Sequence, residues 1–468
     1  MRVRPAVAAG HPATADAGAE ILDSGGTAAD AAVAATAAAC VAETIMTGLL
    51  GGGHAIYRDA ASGQAWNLDC FCDVPSGDGD EMQQMPVPFG EELVHYAIGA
   101  ASCAVPGVAA GLGALHERFG RLPWRDVLEP AMRLARTGVE FTHAHAKCLA
   151  MLAPVMTLDR GGEIFSPRGA LLEAGETLRQ PALEKAFAIL AAEGARSAYE
   201  GSLAEALLVL MRARGGAITR DDLRTYEARW AEPVELEYAG HRVLTRGGLS
   251  GVPELLEAMP PLHGLDETER VLALVPVLDG RERVTHTTNV SVVDTDGNAC
   301  VFTTSLGLGS GDYVAGLDLH LNSMLGEADL LVGGRSASGR RMESMMAPTL
   351  AFDSEGLAVA IGSAGGTRLR AALALVLGAI LDEGVEPQFA VDRPRFHPTG
   401  DTVNAEPEVD EEALAELERR GRHVRRWPAQ HHYFGGVSVV SRFGSAADRR
   451  RSGAVRLSTS ERTRPRST

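Results

Sequence analysis

One tight turn constrains this chain more than any other feature of its sequence. Asp296-Gly297 lies between two runs of strand composition, residues 290–294 and 299–305. An Asp-Gly pair between β-rich runs is a strong hairpin signal, because glycine readily adopts the left-handed conformation that such turns require. The sequence therefore predicts a β-hairpin with a three-residue loop, 295–297.

The register of this hairpin brings two hydroxyl side chains together. A three-residue loop pairs Asp294 with Asn298, and the same register places Thr287 opposite Ser305. A Thr–Ser pair across two strands is commonly a structural hydrogen bond, so the pair alone does not establish catalysis.

The rest of the chain alternates helical and strand patterns, without an internal repeat. Two segments rich in Gly, Pro or both, 75–90 and 247–261, are predicted to be loops. Helices are predicted at about 26–43, 124–137, 181–193, 367–383 and 411–420, and further strands at 54–58, 234–238, 242–244, 349–352, 358–361 and 437–440.

Charge and cysteine content narrow the classes of function. The formal net charge is −17, which argues against nucleic acid as a partner, because phosphate binding needs a basic surface. The 6 cysteines are scattered and indicate free thiols, with no disulfide framework or zinc pattern. No run of about 20 apolar residues suggests a membrane span, and the amino terminus lacks the apolar core of a signal peptide. We therefore expect a cytoplasmic protein with no membrane partner.

The segment that begins at Thr287 is Thr-Thr-Asn-Val-Ser-Val-Val-Asp-Thr-Asp-Gly-Asn. It resembles the processing site of the γ-glutamyltranspeptidases, an N-terminal nucleophile (Ntn) hydrolase family whose small subunit begins with Thr-Thr-x-x-Ser-Val-Val-Asp-x-x-Gly-Asn. Segments 25–35, 106–137 and 362–366 resemble the family's first helix, its middle helices and its Gly-rich small-subunit loop, in the same order. The resemblance covers most of the chain.

The resemblance implies an α+β protein, the αββα four-layer Ntn-hydrolase sandwich. It also implies that Thr287 cuts its own bond to His286, which leaves fragments 1–286 and 287–468 as one heterodimeric globular unit. Thr287 would then be the nucleophile, with its freed α-amine as base. Further oligomerisation stays open.

The resemblance assigns the other catalytic roles as well. Ser305 would orient the Thr287 hydroxyl, and the N–H groups of Gly365 and Gly366 would form the oxyanion hole, where a missing Cβ allows close approach. No metal or organic cofactor is required.

The substrate pocket departs from the family pattern. Phe71 stands where the family has an arginine that grips the glutamyl α-carboxylate, so a bidentate clamp is lost. Gly307 replaces an asparagine, Glu327 takes the place of the acidic ligand of the α-amine, and Ser344-Met345 replaces a Ser-Ser pair. A standard γ-glutamyl compound is therefore not the expected substrate.

The function expected from the sequence is hydrolysis of an amide or an activated carbon–carbon bond of a small molecule, within antibiotic biosynthesis of the alkylproline type. One alternative is a true γ-glutamyl hydrolase or transpeptidase that uses a displaced arginine. A second is an inactive family member that acts as a binding protein.

A few further residues were weighed for contact with substrate. His54 and the pair His431-His432 are more commonly structural, and Arg368 is more commonly a surface or helix-capping residue than a carboxylate ligand. The Arg-rich end, from about 456 to 468, is predicted to be a disordered tail.

Overall fold

The computed structural model describes residues 3–89, 92–279, 286–331 and 339–459, in which helices and strands alternate along the chain. The helices are α1 (Pro12–Asp23), α2 (Ala28–Ala42), α3 (Val108–Phe119), α4 (Trp124–Thr137), α5 (His143–Met156), α6 (Arg160–Phe165), α7 (Pro181–Glu193), α8 (Ser202–Arg214), α9 (Arg220–Thr225), α10 (Val252–Ala258), α11 (Glu267–Leu278), α12 (Arg368–Leu381), α13 (Pro387–Asp392) and α14 (Glu411–Arg419). The strands are β1 (Ala6–Ala9), β2 (Gly52–Arg58), β3 (Ala65–Cys70), β4 (Gln83–Phe89), β5 (Glu92–Ile98), β6 (Val139–Glu140), β7 (Thr177–Leu178), β8 (Arg229–Ala231), β9 (Val234–Tyr238), β10 (His241–Thr245), β11 (His286–Val293), β12 (Ala299–Gly307), β13 (Tyr313–Val314), β14 (Leu319–His320), β15 (Thr349–Asp353), β16 (Gly356–Ala364), β17 (Phe396–Thr399), β18 (Thr402–Ala405), β19 (His423–Arg426), β20 (Gly436–Ser441), β21 (Gly444–Ala447) and β22 (Ala454–Leu457).

Two antiparallel sheets stack face to face at the centre. Among the described residues, the first has strand order β22-β1-β11-β12-β2-β3-β8 and the second β21-β20-β16-β15-β10-β9. Apolar side chains such as Ile56, Val301, Leu350 and Val440 fill the space between them. Helices α1–α4, α7 and α8 cover the outer face of the first sheet, and α10–α14 cover that of the second. These four layers confirm the predicted αββα sandwich.

Helix α2 is the most deeply buried of the outer elements. All of its residues are buried, because its alanine side chains let neighbouring elements approach closely. The Thr27 hydroxyl begins the helix by accepting a hydrogen bond from the Asp30 N–H, and the Asp30 carboxylate accepts one from the Thr27 N–H at 2.9 Å. The carboxyl end of this helix points toward the start of β11, where the candidate site lies.

The hairpin predicted from Asp296-Gly297 is formed by β11 and β12. The Asp294 N–H donates to the Asn298 carbonyl at 3.0 Å, and Gly297 has φ +89°. The register continues to the pair Thr288–Thr304, as the predicted loop requires. The two hydroxyl residues at the far end are therefore brought close together.

Two predicted loops contain regular structure. Segment 75–90 includes β4, which among the described strands pairs with β5 alone. One edge of β4 is therefore open, and Pro86 is tolerated there because an edge strand need not donate every N–H. Segment 247–261 includes α10, in which Pro253 lies in the first turn, where a helix needs no N–H donor.

The predicted tail begins too early. Strand β22 pairs with β1, and beyond it the Ser458 N–H donates to the Pro5 carbonyl at 3.0 Å. The prediction is therefore wrong for 456–459, which an edge position on the first sheet holds in place. Residues 460–468 lie outside the described part of the chain.

Two further findings concern the cysteines and the length of the helices. The cysteines are all free and buried, as predicted. Among the helices that the structure describes, none combines the length and apolarity that a membrane crossing would need.

Candidate active site

Thr287 lies at a β-bulge at the start of β11. The register of β11 against β12 shifts between His286 and Thr288, so that two residues of β12, Ser305 and Leu306, lie opposite Thr287 alone. A bulge interrupts the alternation of side chains and re-aims one of them, which is why bulges recur beside active sites. Thr287 is 3% exposed, and within the described part of the chain no side-chain hydrogen bond holds its hydroxyl.

Thr287 forms one wall of a small cavity, here called the front cavity. Its volume is about 20 Å³, which is enough for a water molecule but not for a larger ligand. A substrate therefore requires this cavity to widen. Its walls are Phe71, Thr287, Ser305, Met324, Glu327, Leu330, Ser344, Met345, Met346, Gly366 and Leu369.

Ser305 reaches the front cavity from β12. Its hydroxyl accepts a hydrogen bond from the Gly307 N–H at 2.9 Å. Within the described residues no hydrogen bond joins the Ser305 and Thr287 hydroxyls, although both line the same cavity. The orienting role of Ser305 stays a prediction.

Gly365 and Gly366 form a sharp turn between β16 and α12. Their φ angles are +132° and +61°, which favour glycine. A Cβ on Gly365 would also lie 2.7 Å from the Gly435 Cα, so no larger residue fits. Among the described residues neither N–H donates to a backbone carbonyl, and of the two glycines Gly366 lines the front cavity.

Apolar side chains form most of the front cavity. Phe71 is buried, and its ring stacks on the His54 ring with 5.6 Å between centroids. Burial, with a contribution from Arg246, lowers the pKa of His54 to about 3, so the imidazole is uncharged at neutral pH. His54 supports Phe71 from β2 and is not among the residues that line the cavity.

Arg341 lies behind Phe71 and is held by the two nearest carboxylates. Its Nη1 is 2.7 Å from Asp69 Oδ1, and its Nε is 2.5 Å from Asp73 Oδ1. Burial alone would raise the pKa of Asp69, but His54 and Arg341 lower it to about 2. Because His54 is uncharged near pH 7, Arg341 is the cation that stabilises this carboxylate there.

Two other arginines near the cavity are bound to backbone carbonyls. Arg246 Nη1 donates to the Ser344 carbonyl at 2.6 Å, and Arg368 Nε donates to the Tyr433 carbonyl at 3.0 Å. Arg368 is buried, so the prediction of a surface or capping role is wrong: its guanidinium binds the turn behind α12. None of the described residues that line the front cavity is Lys or Arg.

Four of the five substrate-binding residues predicted from the sequence line this cavity, and Gly307 does not. Phe71, Glu327, Ser344 and Met345 line it. Gly307 lies behind Glu327: a Cβ at this position would be 2.7 Å from Glu327 Oε1.

The pair His431-His432 lies near the Gly365-Gly366 turn and is not among the residues that line the front cavity. His431 Nδ1 accepts a hydrogen bond from the Tyr433 N–H at 3.1 Å, and burial lowers the pKa of His431 to about 4. The turn then brings Gly435 against Gly365. This segment therefore supports the two glycines that carry the free N–H groups.

Sequence reasoning missed Glu43 and Arg451. Together with Thr287 and Thr288 they line a second space, here called the rear cavity, of about 10 Å³. One signal pointed to Glu43: it follows the last turn of α2, where the helix dipole disfavours a carboxylate. Arg451 had no such signal, because it belongs to an Arg-rich run that is typical of a solvated surface.

This geometry agrees with a comparison of the whole chain. The sequence profile of gamma-glutamyltranspeptidase matches residues 14–279 and 275–458. The chain belongs to the γ-glutamyltranspeptidase family. The family resemblance stated from the sequence is thereby confirmed, and with it membership of the Ntn hydrolases.

Several known proteins are similar to this chain over nearly its whole length. The acylase ACY 1 proenzyme of Pseudomonas sp. (strain V22) is 28% identical, over 94% of this chain and 90% of its own length. The glutathione hydrolase proenzyme of Bacillus subtilis (strain 168) is 24% identical, over 96% and 90% respectively. The crystal structure of cephalosporin acylase from Bacillus halodurans superposes with a TM-score of 0.81 at 22% identity, covering 98% of this chain and 97% of that one, which shows a shared fold.

Proposed function

We propose that this γ-glutamyltranspeptidase family member is a self-cleaving Ntn hydrolase with Thr287 as its nucleophile. The observation that carries the proposal is the position of Thr287 at a bulge, buried and facing the same cavity as the Gly366 backbone. Cleavage of the His286–Thr287 bond frees an α-amine on the nucleophile itself. The fragments 1–286 and 287–468 then remain together as a heterodimer.

In the proposed turnover the freed amine takes the proton of the Thr287 hydroxyl. An α-amine has an unperturbed pKa near 8, so a neutral fraction is present at neutral pH. The hydroxyl oxygen attacks the substrate carbonyl, and the N–H groups of Gly365 and Gly366 stabilise the oxyanion. Removal of one such donor typically costs about 3 kcal/mol of transition-state stabilisation. Water then releases the acyl group from Thr287.

The substrate in this proposal is a small molecule whose acyl group is apolar. Phe71, three methionines and two leucines form most of the front cavity, and no described cation faces it. A glutamyl α-carboxylate would there lose its water without gaining a partner, which is costly. The bond cleaved is an amide or an activated carbon–carbon bond next to a carbonyl, because both use the same nucleophile and oxyanion site. A place in alkylproline-type antibiotic biosynthesis stays a prediction.

Intact mass spectrometry tests the self-cleavage. We expect the parent chain to give two fragments that meet at His286/Thr287 and the Thr287→Ala variant to stay whole. Thr295→Ala, a change in the hairpin loop of the same strand pair, is the matched control and should be cut like the parent. A parent chain that stays whole would overturn the proposal and favour the binding-protein alternative.

Paired acyl anilides test the substrate class. We expect the cleaved protein to hydrolyse a short aliphatic acyl p-nitroanilide with kcat/KM about tenfold or more above its ω-carboxylated analogue, because the carboxylate finds no cation. γ-Glutamyl-p-nitroanilide should be as poor as the ω-carboxylated compound. Preference for the γ-glutamyl compound would support the true γ-glutamyl hydrolase or transpeptidase instead.

A further inference from the structure

The rear cavity places Glu43 beside Thr287, the proposed nucleophile. In a regular strand the side chains of Thr287 and Thr288 would point to opposite faces of the sheet. Both threonines nevertheless line the rear cavity together with Glu43, at the point where the register of β11 against β12 shifts. Its volume of about 10 Å³ corresponds to a single water molecule.

Glu43 is fixed in this position by two hydroxyl groups. Its Oε1 accepts a hydrogen bond from the Thr14 hydroxyl at 2.7 Å, and its Oε2 accepts one from the Thr288 hydroxyl at 2.5 Å. The main chain passes so close that a Cβ on Gly10 would lie 2.6 Å from Glu43 Oε2. The carboxylate is therefore held against the residue that follows the nucleophile.

Other titratable groups surround Glu43 at the rear cavity. Asp448 also lines the rear cavity, but Arg395 holds its carboxylate at 2.6 Å. Burial raises the pKa of the Cys40 thiol, which stays protonated. His145 lines the cavity as well, and its Nδ1 is hydrogen-bonded to the Thr142 hydroxyl.

Burial also raises the pKa of Glu43, against the opposing effect of hydrogen bonds from Thr288 and Thr14 and of the nearby Arg451. Within the described residues Glu43 accepts bonds from hydroxyls and makes no ion pair. A carboxylate of raised pKa is a better proton acceptor than an exposed one.

Self-cleavage needs such a group, because the α-amine that serves turnover does not yet exist. In the continuous chain the Thr287 nitrogen is part of the peptide bond to His286, so it cannot act as a base. The first step therefore requires a proton acceptor supplied by another residue.

We propose that Glu43 accepts the proton of the Thr287 hydroxyl, through one bridging water, during self-cleavage. The Thr287 oxygen then bonds to the His286 carbonyl carbon, and the carbon–nitrogen bond breaks as the proton passes from Glu43 to the Thr287 nitrogen. Water hydrolyses the resulting ester, which leaves a carboxylate on His286 and restores the hydroxyl. Because Glu43 acts on Thr287 through this water, it is a positioning residue: it holds the water and carries the proton between two atoms of Thr287.

This inference rests on the proposed function, and the rate of self-cleavage tests it without any knowledge of the substrate. The full chain is produced under conditions that suppress cleavage and then followed by intact mass across a range of pH. In the parent we expect the rate to rise with pH through the raised pKa of Glu43 and then to level. In Glu43→Gln we expect the rate to fall by about 100-fold or more. We also expect that it no longer rises with pH over the same range.

Conservative variants separate a proton role from a packing role. Glu43→Asp should recover part of the rate together with the rising limb. Thr14→Val removes one hydrogen bond to the carboxylate, so the pKa of Glu43 rises further and the limb should move to higher pH. Thr36→Val, an equally buried change on the same helix with no contact to Glu43, should leave the profile unchanged.

Two results would overturn the inference. One is a Glu43→Gln chain that cleaves at the parent rate; the other is a slower rate with the parent's pH profile, since that is the signature of altered packing. If Glu43→Gln does not fold, the shift in Thr14→Val decides the question. Cleavage of Thr287→Ala would instead contradict the proposed function, so the two failures are distinguishable.

Discussion

Glu327 occupies the space that a side chain at Gly307 would need. A Cβ on Gly307 would lie 2.7 Å from Glu327 Oε1, and the glycine has φ +69°. Any side chain at position 307 would therefore compete with Glu327 for the same space.

Gly307→Ala should disturb the site beyond its effect on the backbone. A non-glycine residue in the left-handed region costs about 1–2 kcal/mol, and the new Cβ must also displace Glu327. Gly316→Ala is the matched control, because Gly316 has φ +70° with nothing near its Cβ position. Thermal unfolding should show a larger loss for Gly307→Ala, and equal losses in the two variants would contradict the contact.

Arg341→Met should destabilise the protein by about 3–5 kcal/mol, since it leaves Asp69 and Asp73 without their buried partner. Urea unfolding at pH 7 measures this. The exposed Arg220, which pairs with Glu205, is the control: Arg220→Met should change the unfolding free energy little. A similar small effect for both variants would show that the Arg341 network adds no stability.

The same network predicts how stability depends on acid. Asp69 has a pKa of about 2 in the folded chain, below its usual value near 3.9. A depressed carboxyl pKa stabilises the fold above the usual value, and this contribution is lost as the pH falls from about 4 toward 2. Unfolding free energies between pH 5 and pH 2 should fall more steeply for the parent than for Arg341→Met. Parallel curves would contradict the assignment.

Phe71→Arg should not create a γ-glutamyl hydrolase. Phe71 is buried and its ring stacks on His54, which Arg246 and Arg341 already influence electrostatically, so a third guanidinium would be unpaired and would cost several kcal/mol. Phe71→Leu, which keeps an apolar side chain, is the control for lost volume. Calorimetry measures the change in stability, and hydrolysis of γ-glutamyl-p-nitroanilide measures the activity. Strong hydrolysis by Phe71→Arg would show that an arginine at position 71 is all that the pocket needs to accept a γ-glutamyl substrate.

Met345→Ala should shift selectivity toward longer acyl groups. Met345 lines the front cavity and is half-buried, so its loss enlarges the space for an apolar chain with little effect on folding. The ratio of kcat/KM between a longer and a shorter aliphatic acyl anilide should rise by about tenfold, the scale of one or two methylene contacts. An unchanged ratio would place the acyl group elsewhere.

The sequence predicted the hairpin register and the place of Thr287 because strand alternation and turn chemistry are local. The bulge at Thr287 could not be predicted in this way, since it depends on how β12 meets the adjacent chain. Glu43 was missed for a similar reason: only the packing of the end of α2 against β11 brings it close to Thr287. Strand β4 was not predicted because it contains prolines, which an open edge tolerates. Strand β22 was not predicted because it lies in an Arg-rich segment.

Strand β1 lies between β22 and β11, so the first and last of the described strands are neighbours in the sheet. Ser458 is hydrogen-bonded to Pro5, and a short linker could therefore join the chain near residue 458 to the chain near residue 5. A circular permutant that opens at Thr287 would then begin with the proposed nucleophile, once the initiator methionine is removed. Such a chain would carry the free threonine amine from synthesis and would have no peptide bond left to cut.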